Sequence, residues 1–332
     1  MATRPRPRKM GHLVLMVRDI QASAKFYTEK ALAASDATAG GFLVPPQFSQ
    51  EVIEFLRPAS VVRRLGPMAI PMPTGTFRIP KVTQGITASY IGENLPAPKQ
   101  QPQFGNVTLT FKKLAALVPL SNDLLRYSSP GADAIVRDDV VNAMADAENR
   151  NFLRGDGTAA TPRGLLNWCL ASQNLTANAT SNLANFTADM GRLIVALMNQ
   201  NIKMIKPAWI WAPRTWNFAM TVQTANGVFP FRDELMRGTF WGWPFGLTTA
   251  VPINLGTGGN QSEIYLADFA DVALGEALNL TVDASQEAAY NDGGTVVSAY
   301  SNDQTVIRAI SEHDLVMRRQ ESVAVLSSVV YQ

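Results

Sequence analysis

Few stretches of this sequence offer reactive or ligand-binding groups. FLRGDGTAATPRGLLN, Phe152–Asn167, holds Arg154-Gly155-Asp156, the tripeptide of cell adhesion, and sets glycines around an acid, as phosphate and metal loops do. Helical spacing of apolar residues runs up to Leu153, so Gly155–Gly157 reads as the stop of that helix. Asp156 is then expected to bond backbone amides of the turn, which makes the string a structural corner. The chain has two histidines, His12 and His313, and one cysteine, Cys169. That supplies neither a disulfide framework nor a cysteine zinc site, and it fits a reducing compartment. Beside Leu165, Leu166 and Trp168, the thiol reads as a small buried apolar group. Asp138-Asp139 and Asp233-Glu234 are adjacent pairs that point apart on a helix, and so read as solvated faces or subunit salt bridges. Gly256–Gln261, GTGGNQ, lacks the strand and helix of a dinucleotide loop and reads as a loop tip. There is no Walker loop, no G-x-S-x-G and no H-E-x-x-H. No catalytic residue, cofactor or metal is expected.

The 332 residues are enough for one large domain or two smaller ones. Hydrophobic residues make up 46 %, an ordinary share, but charged residues only 17 %, which suggests surface covered by other subunits. A net charge of +2 argues against a molecule that grips nucleic acid over its whole surface. No run of eighteen apolar residues occurs, and GHLVLMVRDI is too short for a signal core, so a soluble protein without a membrane span is expected.

Residues 1–40 form a basic, Pro-rich start, a strand over Leu13–Val17, a helix over Ile20–Leu32 capped by Asp19, and a small-residue linker. A helix is predicted over Gln47–Leu56, ended by Pro58. Strand-like stretches at Gly75–Lys81 and Asn106–Ala116 flank a polar centre. A ribbon with so little apolar face buries itself poorly, and reads as a mobile loop or an arm across a neighbouring subunit. Ser121 is a plausible cap for a helix over SNDLLRYS. Val136, Val140, Met144 and Ala147 mark a long helix of roughly 30 Å ending at Leu153. A helix at Thr187–Gln200, a strand at Pro207–Pro213, a helix over PRTWNFAMTVQ and strands in FWGWPFGLTTAVP and SEIYLADFADVALGEALNLTVDAS follow. Two β-rich segments around a turn at Glu312–Asp314 close the chain. The order is α+β with no strict βαβ alternation.

HLVLMVRDIQASAKFYTE resembles the first strand and helix of the vicinal oxygen chelate family, in which the early histidine binds metal. That would make His12 a ligand of a metal-dependent enzyme. The likeness covers about eighteen residues and lacks the family's later ligands, so a strand–helix arm is the plainer reading.

From about Gly40 onward the chain resembles the major capsid proteins of tailed double-stranded DNA bacteriophages, whose fold encapsulins share. GGFLVPPQFSQEVIEFL, ASYIGENLPAPKQQPQFGNVTLTFKKLAALVPLSNDLLRYS, AMADAENRNFLRGDGTAATPRGLLN, FWGWPFGLTTAVP, ADFADVALGEALNLTVDAS and NDQTVIRAISEHDLVMRRQESVAVL carry the likeness, six motifs in family order. The resemblance implies an N-terminal arm at 1–60 and a peripheral domain at 61–206. That domain includes an extended hairpin loop at 70–115 and a spine helix at 131–153. An axial domain follows at 207–308, with its tip near Asn254–Gln261, and 309–332 returns to the peripheral domain. Such subunits assemble into hexamers and pentamers that close an icosahedral shell in the virion, built in the host cytoplasm. The partners implied are copies of the chain, a portal protein, separate scaffolding and decoration proteins, and packaged double-stranded DNA held non-specifically. Expected subunit contacts are Arg78, Lys81, Glu93, Lys99, Lys112, Arg137, Asp138, Arg318, Arg319 and Glu321. Arg4, Arg6, Arg8 and Lys9 face the DNA, lie in solvent or meet an acidic patch on a neighbour. Some relatives crosslink a loop lysine to an asparagine near a catalytic glutamate. Lys99 lies in the loop, but NDQTVIRAISEHDL lacks the matching pair, so no crosslink is expected. Neither is a maturation cleavage near residue 40. An encapsulin-like shell around protein cargo remains the alternative.

Overall fold

The computed structural model describes residues 60–332 apart from 87, 89, 92–98, 100, 128–131 and 159. The elements expected before Ser60 lie outside the described residues.

In chain order, α1 (Val61–Arg64) leads to β1 (Met68–Pro71), β2 (Thr76–Gln84), β3 (Gln103–Thr110) and β4 (Lys112–Ser121). Helices α2 (Asn122–Tyr127), α3 (Ala132–Arg154) and α4 (Leu165–Trp168) follow, then β5 (Asn174–Thr176) and α5 (Leu183–Met198). Next come β6 (Pro207–Trp211), α6 (Pro213–Thr221), α7 (Arg232–Met236), β7 (Thr239–Phe240), β8 (Trp243–Leu247) and β9 (Ser262–Asp268). The last strands are β10 (Val272–Ser285), β11 (Ala289–Asp292), β12 (Thr295–Ser298), β13 (Gln304–Met317) and β14 (Val323–Val329). This is the α+β mixture that the sequence predicts.

The described residues divide into two compact units, one within 119–139 and 284–307, the other within 60–118, 140–283 and 308–332. In the first, β11 and β12 form a hairpin with Ala289 opposite Ser298. Asn122 there donates its backbone N–H to the Asp303 carbonyl at 2.9 Å and its side-chain amide to the Asp303 carboxylate at 2.6 Å.

In the second unit a six-stranded sheet runs β5-β14-β9-β6-β8-β7. Alternation along its strands sorts the core into two layers. Trp209, Trp211, Ile264, Leu266, Ala324 and Leu326 face Phe186, Met190, Leu193 and Leu197 of α5. Ala208, Ile210, Tyr265, Ala267, Val323 and Val325 face Phe152, Leu153, Leu165 and Val62. The end of the long helix therefore rests on the opposite side of the sheet from α5. A second sheet has the order β1-β10-β13-β4.

Several expectations are corrected. Glu312–Asp314 is no turn but the middle of β13, and the break comes at a short 3-10 turn, Gln320–Ser322. The strand tolerates these polar residues because they are bonded. His313 Nδ1 lies 3.0 Å from Ser311 Oγ, and the Asp314 carboxylate accepts the backbone N–H groups of Thr110 and Leu315, each at 2.9 Å. Helix α5 starts at Leu183, not Thr187, because Asn182 caps it by accepting the Asn185 N–H at 2.7 Å. Ser121 ends β4 and directly precedes α2. The stretch Asn106–Ala116 breaks at Phe111 into two strands. β14 pairs antiparallel with β9 and parallel with β5, while β10 and β13 belong to the other sheet.

Candidate self-assembly interface

The β2–β3 ribbon shows how an element can be half core and half unsatisfied surface. Phe77 stands opposite Leu109, Ile79 opposite Val107 and Val82 opposite Phe104. Ile79, Val107 and Leu109 are buried with Ile70, Met72, Ala273 and Val316, so this face anchors the base of the ribbon. At the turn from β1, Gly75 has φ +74°, and a Cβ there would come within 2.7 Å of the Phe111 ring. Phe111 also donates its N–H to the Gly75 carbonyl at 3.0 Å, which closes the ribbon's open end.

Residues two apart share a face, so Val82 and Phe104 lie on the side away from Ile79 and Val107. They are 59 % and 72 % exposed although they pair directly. Ile86, Tyr90 and Ile91 continue the exposed apolar run toward the tip. The ribbon is thus less polar than its threonines and lysines imply. The missed signal is parity: the buried face uses odd positions 79, 107 and 109, while Val82 and Phe104 are apolar at even ones. Fully burying side chains of this kind contributes about 1.5–3 kcal/mol each.

The charged residues expected at contacts fall in separate places. Arg78 is exposed and Lys81 half-buried on β2, and Lys99 is exposed beyond it. Lys112, half-buried on β4, acts electrostatically on Asp314, whose carboxyl is pushed above the ordinary carboxylate range by burial. Asp138 is exposed on α3. Arg137 occupies the same helix, and its side chain, like Glu93, Arg4, Arg6, Arg8, Lys9 and His12, lies outside the described residues. Arg318 and Arg319 are exposed on the turn after β13, where the Glu321 carbonyl accepts the Gln173 amide at 2.7 Å.

The glycine corner is built as a joint. The Asp156 carboxylate accepts the Thr158 N–H at 3.1 Å and the hydroxyls of Thr158 and Thr161; these bonds, Thr161's first, hold its pKa down. Asn167 Nδ2 donates to the carbonyls of Arg154, at 3.2 Å, and Gly155, at 2.6 Å, capping the end of α3. Arg154 reaches toward buried Glu263 at 3.7 Å. Burial pushes the Cys169 thiol up to about 11, far from a nucleophile's range. Among the described residues, no group of three or more His, Cys, Asp or Glu could hold a metal ion, and no helix is long and apolar enough to cross a membrane.

What remains is a ribbon with an exposed apolar face. The phage capsid family, compared as a whole, matches residues 40–328. The chain belongs to the phage capsid family. The major capsid protein of Klebsiella oxytoca phage phiKO2 is 37 % identical over 326 residues, 94 % of this chain and 76 % of that protein. The capsid polyprotein of Pseudomonas phage PAJU2 is 26 % identical over 329 residues, 93 % of this chain and 49 % of the polyprotein. A structure from Mycobacterium phage Cain superposes with a TM-score of 0.71 at 16 % identity, covering 88 % of this chain and 97 % of that one. The capsid of a native GTA particle does so with 0.68 at 17 % identity, covering 91 % and 99 %. At these identities the solved structures speak to the fold of this phage capsid family chain.

Proposed function

We infer that this chain is a major capsid protein, a structural subunit that assembles with copies of itself into the hexamers and pentamers of an icosahedral phage head. The family supplies the class of function. The observation that carries the mechanism is the ribbon's outer face, where Val82 and Phe104 pair in register and stay exposed. A single chain gains nothing by presenting such a face, and a neighbouring copy laid against it buries it. Arg78, Lys81 and Lys99 flank the apolar stretch, and the reading has them meet acidic side chains of the next subunit, with Asp138 as one candidate. Arg318, Arg319 and Glu321 serve a second contact. Beyond itself, the subunit meets a portal protein, separate scaffolding and decoration proteins and packaged double-stranded DNA, with assembly in the host cytoplasm.

Sedimentation velocity tests this on the full chain with Val82→Asp and Phe104→Asp together. Both side chains are exposed in the subunit, so its circular dichroism and melting should be unchanged, while shell-sized species disappear. A variant that assembles as well as the parent would remove the ribbon from the interface.

A further inference from the structure

The long helix α3 buries Val140, Met144 and Phe152, and at the turn between them it also buries a charge, Glu148, 7 % exposed. Burying a carboxylate is costly unless it is paired and bonded. Here it accepts Ser60 Oγ at 2.7 Å, Arg63 Nε at 2.6 Å and Arg63 Nη2 at 3.1 Å. The other arm of Arg63 bonds Glu276 of β10. The adjacent Asn149 accepts the Val61 N–H at 2.8 Å, so α1, α3 and β10 are tied at one point.

A fourth element enters through His313 of β13, which is 3 % exposed. Its Nδ1 lies 3.0 Å from Ser311 Oγ and 3.9 Å from Glu148 Oε2, and its ring stands edge-on to Phe152 with centroids 5.1 Å apart. Lys112 and Lys113 of β4 line the same small cavity as Glu148 and His313. Lys113 pairs with Glu312 at 3.3 Å, and Lys112 acts on Asp314. The charged groups around the imidazole are therefore Glu148 from the helix, Arg63 from α1, Glu276 from β10, both lysines from β4, and Glu312 and Asp314 from its own strand.

We propose that His313 makes this junction a pH-sensitive joint. On acidification the imidazole takes up a proton and competes with Arg63 for Glu148, and the packing of α3 against β13 loosens. The packed site favours the neutral ring. Burial lowers its pKa below the ordinary imidazole value, Glu148 and Glu276 oppose that shift, and Arg63 adds to it. The sign follows. Well above about pH 6.5 the ring is neutral in the packed and the open joint alike, and titration contributes nothing. Below about 6.5 the open joint binds the proton first, so the stability of packing falls as pH falls, until the packed ring also titrates. The joint lies within one subunit and does not require assembly.

Hydrogen exchange at pH 7.5 to 5.0, corrected for the intrinsic rate, reads the joint directly in segments 140–154 and 308–317 of the full chain. Opening should rise by up to about tenfold per pH unit below about 6.5, the limit for one linked proton. His313→Gln keeps hydrogen-bonding groups but cannot take the charge, and should flatten that slope. Equal slopes in parent and variant would overturn the proposal. Should His313→Gln fail to fold, the ring signal of His313 can be titrated in His12→Gln, which leaves one histidine. A midpoint below about 6.5 supports the joint, and one at or above it overturns it.

Discussion

At the scale of single residues, the corner after α3 shows how two glycines can matter more than the acid between them. A Cβ on Gly164 would stand 2.6 Å from the backbone nitrogens of Arg154 and Gly155, and one on Gly155 would stand 2.2 Å from the Pro162 carbonyl oxygen. Two stretches of backbone cross there with no room for a methyl group, and backbone does not yield as a side-chain end would. Gly164→Ala is therefore expected to cost about 3 kcal/mol, read as a lower melting midpoint and less soluble protein. Asp156→Ala removes only exposed turn bonds and should melt close to the parent. The turn role of Asp156 was legible from the glycines around it. The close crossing was not, because Gly164 lies nine residues beyond Gly155 and nothing local marks their contact.

At the scale of elements, legibility followed burial and periodicity. Helix α3 and strands β6 and β9 stand close to where their apolar patterns put them, since each buries a continuous stripe or both faces. Strand β13 did not, because Glu312, His313 and Asp314 look like a turn until their bonds to Lys113, Ser311 and Thr110 are seen. Lys113 and Thr110 come from another segment of the chain, out of reach of a local reading. Helix α5 shows the energetic counterpart. Its Phe186 is fully buried and contacts the rings of Trp211, Phe218, Phe231, Phe240 and Tyr331, with centroids 5.2–6.2 Å apart. Phe186→Ala should destabilise the subunit by about 3–5 kcal/mol in denaturant unfolding, with Trp emission from the same layer reporting the transition. A loss under about 1 kcal/mol would mean that the aromatic layer repacks freely.

At the scale of the whole molecule, low charge and a ribbon that exposes Val82 and Phe104 have one explanation, a subunit whose surface is completed by its neighbours. Family membership was legible because six motifs keep their order over nearly the length that the family matches, residues 40–328. Sequence reasoning looked for charges, and the structure brings forward an apolar pair on the outer face of the ribbon. Cryo-electron microscopy of particles assembled from the full chain tests this most directly. Closed shells of hexamers and pentamers are expected, with Val82 and Phe104 buried against the adjacent subunit. Monomers alone at every concentration, or shells in which that pair faces solvent, would contradict it.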